Sequence, residues 1–140
     1  MNTIGTPGLL VNIDVDDLGR AVDFYTQAFA FRVGRRLGDS IVELVGGVVP
    51  LYLIEKAAGS IAVRTSMSVR DYARHWTPVH LDLVVDDVDA TVARAQSVGA
   101  VVENAAQDHV WGRIAHLADP FGHGICVLAF RNRGYDEVAT

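Results

Sequence analysis

Residues 10–25 read LVNIDVDDLGRAVDFY, and residues 80–95 read HLDLVVDDVDATVARA. Aligned at an offset of 70 residues, half the chain length, the two stretches place Val15-Asp16-Asp17 on Val85-Asp86-Asp87. Each begins with an alternating apolar run, which is typical of a half-buried strand. An Asp pair then precedes apolar residues at helical spacing, and Asp is a good helix N-cap because its carboxylate accepts a free backbone N–H. We therefore predict that the chain contains one strand–helix unit twice.

Strand-like segments follow each predicted helix. They lie at 31–36, 40–45 and 50–54 in the first copy and at 100–104, 113–118 and 124–130 in the second. The sequence thus predicts an α+β fold, one domain over 1–140, with two tandem βαβββ units at about 8–56 and 78–131 and a linker at 57–77. Two such sheets side by side form a half-barrel, and its concave cup is the expected place for a small-molecule ligand.

The composition excludes several classes of partner. The chain has 140 residues, 50% of them hydrophobic, and a net charge of -5. Binding to nucleic acid or to an anionic membrane rests on Lys and Arg, so neither partner is expected. The single cysteine, Cys126, excludes an internal disulfide. With no signal-peptide pattern and no apolar run long enough to span a bilayer, we expect a cytoplasmic protein.

Strand alternation predicts which side chains face the cup. If Val11, Ile13 and Val15 pack under the helix, the intervening side chains face the other way. The cup-facing set is Leu10, Asn12, Asp14, Glu43 and Tyr52 in the first unit and His80, Asp82, Val84, His116 and Cys126 in the second.

Two tryptophans join the candidate ligand-binding residues. Trp111 precedes a predicted strand and is expected either at the cup rim or as an ordinary half-buried aromatic. Trp76 ends the linker run Tyr72-Ala-Arg-His-Trp76. The composition of this run suits a flat or anionic ligand, and equally a dimer contact, where Tyr, Trp and Arg are enriched.

Three segments carry a family resemblance: 10–25, 80–88 and Asp119-Pro-Phe-Gly-His-Gly124. They resemble the vicinal oxygen chelate superfamily, which includes glyoxalase I, bleomycin-resistance proteins, fosfomycin-resistance enzymes and extradiol dioxygenases. The resemblance implies a glyoxalase-like fold and, in most relatives, a homodimer. It does not fix the function, because one fold hosts many activities.

The resemblance also implies four metal-ligand positions, which fall here on Leu10, Tyr52, His80 and Cys126. Only His80 keeps the residue type expected. Leu10 has no donor atom, the phenol of Tyr52 has an ordinary pKa near ~10, and the sulfur of Cys126 suits zinc rather than magnesium or manganese. The resemblance therefore implies a degraded metal site, and no cofactor is expected.

We favour a homodimeric small-molecule-binding protein of the bleomycin-resistance type. One alternative is a divergent glyoxalase-like lyase, isomerase or dioxygenase. It would use either a rearranged divalent-metal site of His80, His116 and Cys126, optionally with Glu43, or His80 as a metal-free general base. Another alternative is an oligomerising subunit whose cup is vestigial.

Overall fold

Each unit consists of a strand, a helix and three further strands, in the predicted order. The computed structural model describes residues 5–65 and 67–140. The first unit contains β1 (Val11–Val15), α1 (Leu18–Phe29), β2 (Arg32–Leu37), β3 (Ile41–Val45) and β4 (Leu51–Glu55). The second contains β5 (Leu81–Val84), α2 (Val88–Ser97), β6 (Val101–His109), β7 (Gly112–Ala118) and β8 (Gly124–Phe130), followed by a 3₁₀ turn at Gly134–Glu137. The predicted α+β fold of two βαβββ units is confirmed.

The two sheets have the same topology. Their strand orders are β1-β4-β3-β2 and β5-β8-β7-β6, and in each the first and last strands of the unit pair in parallel. The strand β1 therefore lies at an edge of the first sheet and β5 at an edge of the second. One face of each sheet is covered by its own helix, and Leu44, Leu53, Leu117 and Val127 are fully buried there.

Both helices begin as the Asp pairs predict. The Asp17 carboxylate accepts a hydrogen bond from the backbone N of Arg20 at 3.0 Å, and the Asp87 carboxylate does the same for Ala90. An N-cap of this kind stabilises a helix by about 1 kcal/mol. The helix α2 ends before Gly99, whose φ of 115° suits glycine.

The two units share one hydrophobic core, in which α1 packs against α2. The hydroxyl of Tyr25 on α1 donates to the carboxylate of Asp119, in the turn before β8, at 2.6 Å. The Arg20 guanidinium lies 5.7 Å from the centre of the Phe121 ring in that turn. None of the helices in the described part of the chain has the length and apolar character needed to cross a membrane.

The linker is fastened to both units. Arg70 forms an ion pair with Asp14 of β1 at 2.7 Å, and Arg74 forms one with Glu103 of β6 at 2.6 Å. The Tyr72 hydroxyl donates to the carbonyl oxygen of Lys56 at 2.7 Å. These contacts hold the second half of the linker against the sheets.

Candidate functional site

Three predicted side chains form a row across the uncovered face of the first sheet. The strand register pairs Asn12 with Tyr52 and Tyr52 with Glu43. Paired residues point to the same side of a sheet, and this side is opposite α1. We call Asn12, Tyr52 and Glu43 the first open face.

Both carboxylate oxygens of Glu43 on this face accept hydrogen bonds. The Arg35 guanidinium of β2 donates to both carboxylate oxygens, at 3.0 and 2.6 Å, and the Tyr52 hydroxyl donates to the second at 2.8 Å. The hydrogen bond from Arg35, followed by that from Tyr52, lowers the pKa of Glu43 to about 2. Glu43 is therefore a paired carboxylate at neutral pH and a poor general base.

Arg35 is a residue that alternation along β2 could not identify. The pairing of β2 with β3 shifts between Val33 and Arg36, so a bulge interrupts the period of two. The sequence nevertheless carried one signal for this contact, namely the glycine before Arg35. A Cβ at Gly34 would lie 2.7 Å from Oε1 of Glu43, so the glycine leaves room for the carboxylate. The side chain of Arg35 is 69% exposed, and it gives the first open face a cationic group.

The corresponding row on the second sheet consists of Asp82, Cys126 and His116, which the register places side by side. We call these three residues the second open face. Asn104 of β6 extends the row, since its side-chain Nδ2 donates to His116 Nδ1 at 2.9 Å. His80, directly before β5, places its Nε2 3.2 Å from Asp82 Oδ1.

His80, Asp82 and Cys126 form a compact group of metal-ligating side chains. One donor atom from each lies within 4.8 Å of the others. Burial, followed by the charge of Asp82, raises the pKa of the Cys126 thiol to about 12. The thiol is therefore protonated at neutral pH, and a metal ion would have to displace its proton.

A cavity of about 460 Å³ lies toward the far end of the second sheet, lined by Asn104, His116 and Trp111. The Trp111 indole stacks on the His109 ring with centroids 5.1 Å apart and an angle of 2° between the planes. Its other neighbour is the ring of Tyr135 at 5.2 Å. Trp111 is thus a half-buried aromatic that also lines a cavity.

The remaining predicted residues lie near the linker. Asp14 is held by Arg70 and lines a second cavity, of about 510 Å³, together with Asn12 and His80. Trp76 is 73% exposed, and its ring centre lies 6.1 Å from that of His80. Leu10 and Val84 are exposed apolar side chains at the edges of the two sheets.

The predicted residues therefore divide between the two sheets. His80, Asp82, Cys126 and His116 lie on the second, whereas Asn12, Tyr52 and Glu43 lie on the first. Within residues 5–65 and 67–140, no hydrogen bond or ion pair joins Tyr52 or Glu43 to the second open face.

Known proteins are similar to this chain in sequence or in fold. A protein from Mycobacterium bovis, described only as uncharacterized, is 36% identical over 127 residues, which cover 84% of this chain and 79% of that protein. DnrV, an anthracycline biosynthesis protein from Streptomyces peucetius, is 34% identical over 96% of this chain, which spans 46% of DnrV. Among solved structures, TnmS3, an antibiotic-binding protein from Streptomyces sp. CB03234, superposes with a TM-score of 0.63 at 24% identity, covering 93% of this chain and 100% of TnmS3.

The family assignment follows from a match along the sequence itself. The model of the glyoxalase-like domain matches residues 10–128. This range begins one residue before β1 and ends within β8, so it includes both βαβββ units and the linker between them. The protein is accordingly a member of the glyoxalase-like domain family, within the vicinal oxygen chelate superfamily.

Proposed function

We propose that the protein binds a small, flat molecule against the second open face, without the metal centre found in the family's enzymes. The observation that carries this proposal is the 460 Å³ cavity between the Trp111–His109 stack and the Asn104–His116 hydrogen bond. An aromatic surface beside a few oriented polar groups is the usual composition of a small-molecule site.

The donor atoms at the family's four metal positions support binding without that metal. Leu10 offers no donor, and the Tyr52 hydroxyl is already bonded to Glu43. The Cys126 thiol holds its proton, because burial and Asp82 raise its pKa. The four positions therefore do not fit a hard divalent cation, and we derive no chemical step through one.

The named relatives support the ligand class. DnrV belongs by name to anthracycline biosynthesis, and TnmS3 is described as antibiotic-binding. Both descriptions point to small organic molecules, and the aromatic Trp111–His109 pair that lines the cavity suits a planar ring system. We therefore propose a polycyclic aromatic compound as the ligand class for this chain.

We also propose that the protein is a homodimer and that it acts in the cytoplasm. Within one chain α1 packs against α2. The strand orders place β1 and β5 at sheet edges. These edges carry exposed apolar side chains, Leu10 and Val84 among them. A second copy would cover them and place a first open face opposite a second one, so that each cup takes side chains from both chains.

An enzymatic function is the second candidate, and the His80–Asp82 contact favours it. A carboxylate 3.2 Å from an imidazole nitrogen can orient the ring for proton transfer. In that case His80 would remove a proton from a bound substrate, and product would accumulate.

Binding can be tested by titrating the protein with an anthracycline in the presence of a chelator. Isothermal titration calorimetry should give saturable binding that the chelator does not change, and mass spectrometry should show an unaltered ligand. We expect Trp111→Ala to weaken binding by about tenfold, because stacking and lost apolar contact together are worth about 1.4 kcal/mol.

The matched control is Trp76→Ala, which truncates the same residue type at an exposed position outside this cavity. It should leave the dissociation constant within about twofold of wild type. Weaker binding in Trp76→Ala but not in Trp111→Ala would move the ligand to the linker. If wild type converts the ligand to a product and His80→Ala does not, the protein is an enzyme and not only a binding protein.

A further inference from the structure

Two histidines outside both open faces meet between the linker and the turn before β8. The ring nitrogen His75 Nε2 lies 3.1 Å from His123 Nδ1. On the far side of each ring, His75 Nδ1 lies 2.9 Å from the carbonyl oxygen of Ala73, and His123 Nε2 lies 2.7 Å from that of Asp14. Each imidazole therefore contacts a backbone carbonyl through one nitrogen and the other imidazole through the second.

The carbonyl contacts fix which nitrogen of each ring carries hydrogen. A backbone carbonyl oxygen only accepts hydrogen bonds, so His75 Nδ1 and His123 Nε2 must be the donors. In the neutral rings His75 Nε2 and His123 Nδ1 then carry lone pairs and no hydrogen. Two lone pairs thus face each other at 3.1 Å, and a cation between them is needed to make this contact attractive.

The arrangement matches a pair of metal ligands in two respects. Histidines that ligate metals usually donate their second ring N–H to a carbonyl or carboxylate, and both rings here do so. Two imidazole nitrogens on a tetrahedral zinc ion, each about 2.0–2.1 Å from the metal, are separated by about 3.3 Å. The separation of 3.1 Å needs only a small opening of the pair.

The surroundings leave room for further ligands and place little net charge on the site. Both rings line the 510 Å³ cavity, from which water or a bound molecule could complete the coordination. The nearby cations are already paired, Arg70 with Asp14 and Arg74 with Glu103. The Asp119 carboxylate accepts a hydrogen bond from the backbone N of His123 at 2.9 Å, and the Tyr72 ring packs edge-on at 6.3 Å.

We propose that His75 and His123 form a binding site for a borderline divalent transition-metal ion such as Zn²⁺ or Cu²⁺. Imidazole nitrogen is a preferred ligand of these ions. Neither ring is at one of the four positions at which the family's metal is expected, although His80, which is one of the four, lines the same cavity. Because His75 belongs to the linker and His123 to the turn between β7 and β8, a bound ion fastens the linker to the second sheet.

The test is zinc binding by metal-free protein, measured by calorimetry on wild type, His75→Gln, His123→Gln and Cys126→Ser. Wild type and Cys126→Ser should each bind one Zn²⁺ per chain, and the two histidine variants should lose that binding. Zinc should also slow tryptic cleavage after Arg70 and Arg74 in the first two proteins only. Circular dichroism of each metal-free variant checks that it folds.

A measurement on wild type alone keeps the test decisive if a histidine variant does not fold. With Cu²⁺ added, electron paramagnetic resonance should show coupling to two imidazole nitrogens, and trypsin protection should appear at the same one equivalent. Zinc binding lost in Cys126→Ser but kept in the histidine variants would assign the ion to His80, Asp82 and Cys126, and would overturn the proposal. Absence of zinc and copper binding would also overturn it.

Discussion

The hydrogen bond between Tyr25 and Asp119 joins two buried side chains from different units. Removing the hydroxyl in Tyr25→Phe leaves the carboxylate with one partner fewer in a site that water does not reach. We expect the free energy of unfolding to fall by about 1–3 kcal/mol, measured by urea denaturation at neutral pH. Tyr135→Phe should change it by less than about 0.5 kcal/mol, because the ring is exposed and its hydroxyl makes no hydrogen bond to any residue in 5–65 or 67–140.

The raised pKa of Tyr25 predicts that the folded protein loses stability at alkaline pH. Burial, then the charge and hydrogen bond of Asp119, raises the pKa of Tyr25 well above 10 in the folded protein. Above pH 10 the unfolded chain therefore releases this proton and the folded chain does not, so stability falls as the pH rises. The slope attributable to Tyr25 should approach about 1.4 kcal/mol per pH unit, and subtracting the Tyr25→Phe profile from that of wild type should isolate it. Parallel profiles above pH 10 would contradict this origin.

The reactivity of Cys126 tests the electrostatics of the second open face. Asp82 contributes to the high pKa of the thiol, although burial is the larger cause. Asp82→Asn should therefore lower the pKa without restoring its ordinary value near ~8.5, and modification by a disulfide reagent should become faster at pH 8. Asp86→Asn, at an exposed position outside β5, is the control. Equal rates in the two variants would show that Asp82 does not act on the thiol.

At the scale of the elements, the position of the linker depends on its close packing against the turn before β8. A Cβ at Gly122 would lie 2.7 Å from the carbonyl carbon of Ala73 and closer still to its oxygen. Gly122→Ala should therefore displace the linker and speed tryptic cleavage after Arg70 and Arg74. Gly59→Ala is a matched control, because Gly59 has a similar φ, 80° against 83°, and apart from its chain neighbours no described residue has an atom within 4 Å of the new Cβ. Both variants bear the backbone strain of about 1–2 kcal/mol, so faster cleavage in Gly122→Ala alone measures the clash.

Local patterns made the regular elements predictable. The Asp17 and Asp87 caps and the strand alternation depend on neighbours in sequence, so they placed both helices and both open faces from the sequence alone. The strand β6 extends beyond the predicted 100–104, because its pairing with β7 continues to His109, directly before the turn at 110–111. The linker contacts were not predictable: Arg70 reaches Asp14 across 56 residues, and no local period encodes such a distance.

At the scale of the whole molecule, the internal repeat predicted two units but not how they pack. The repeat predicts one apolar face on the helix of each unit, but it does not predict which parts of the other unit that helix contacts. In the structure α1 and α2 pack on each other, and Tyr25 and Arg20 of the first unit contact the turn before β8 in the second. The two contacts with the turn join residues 94 or more positions apart, and no local pattern reports such a pairing, so only the fold of each unit could be predicted.

The shared core predicts that the two units unfold together. Trp76 and Trp111 lie in the linker and the second unit, so tryptophan fluorescence reports on that half, whereas far-ultraviolet circular dichroism reports on both. Because one buried cluster contains residues of both units, the two signals should follow a single transition in urea. Tyr25→Phe should move both midpoints equally, although its ring lies in the unit without tryptophan. A fluorescence midpoint that stays in place while the circular dichroism midpoint moves would mean that the second unit is stable alone, and that the contact between α1 and α2 adds little to its stability.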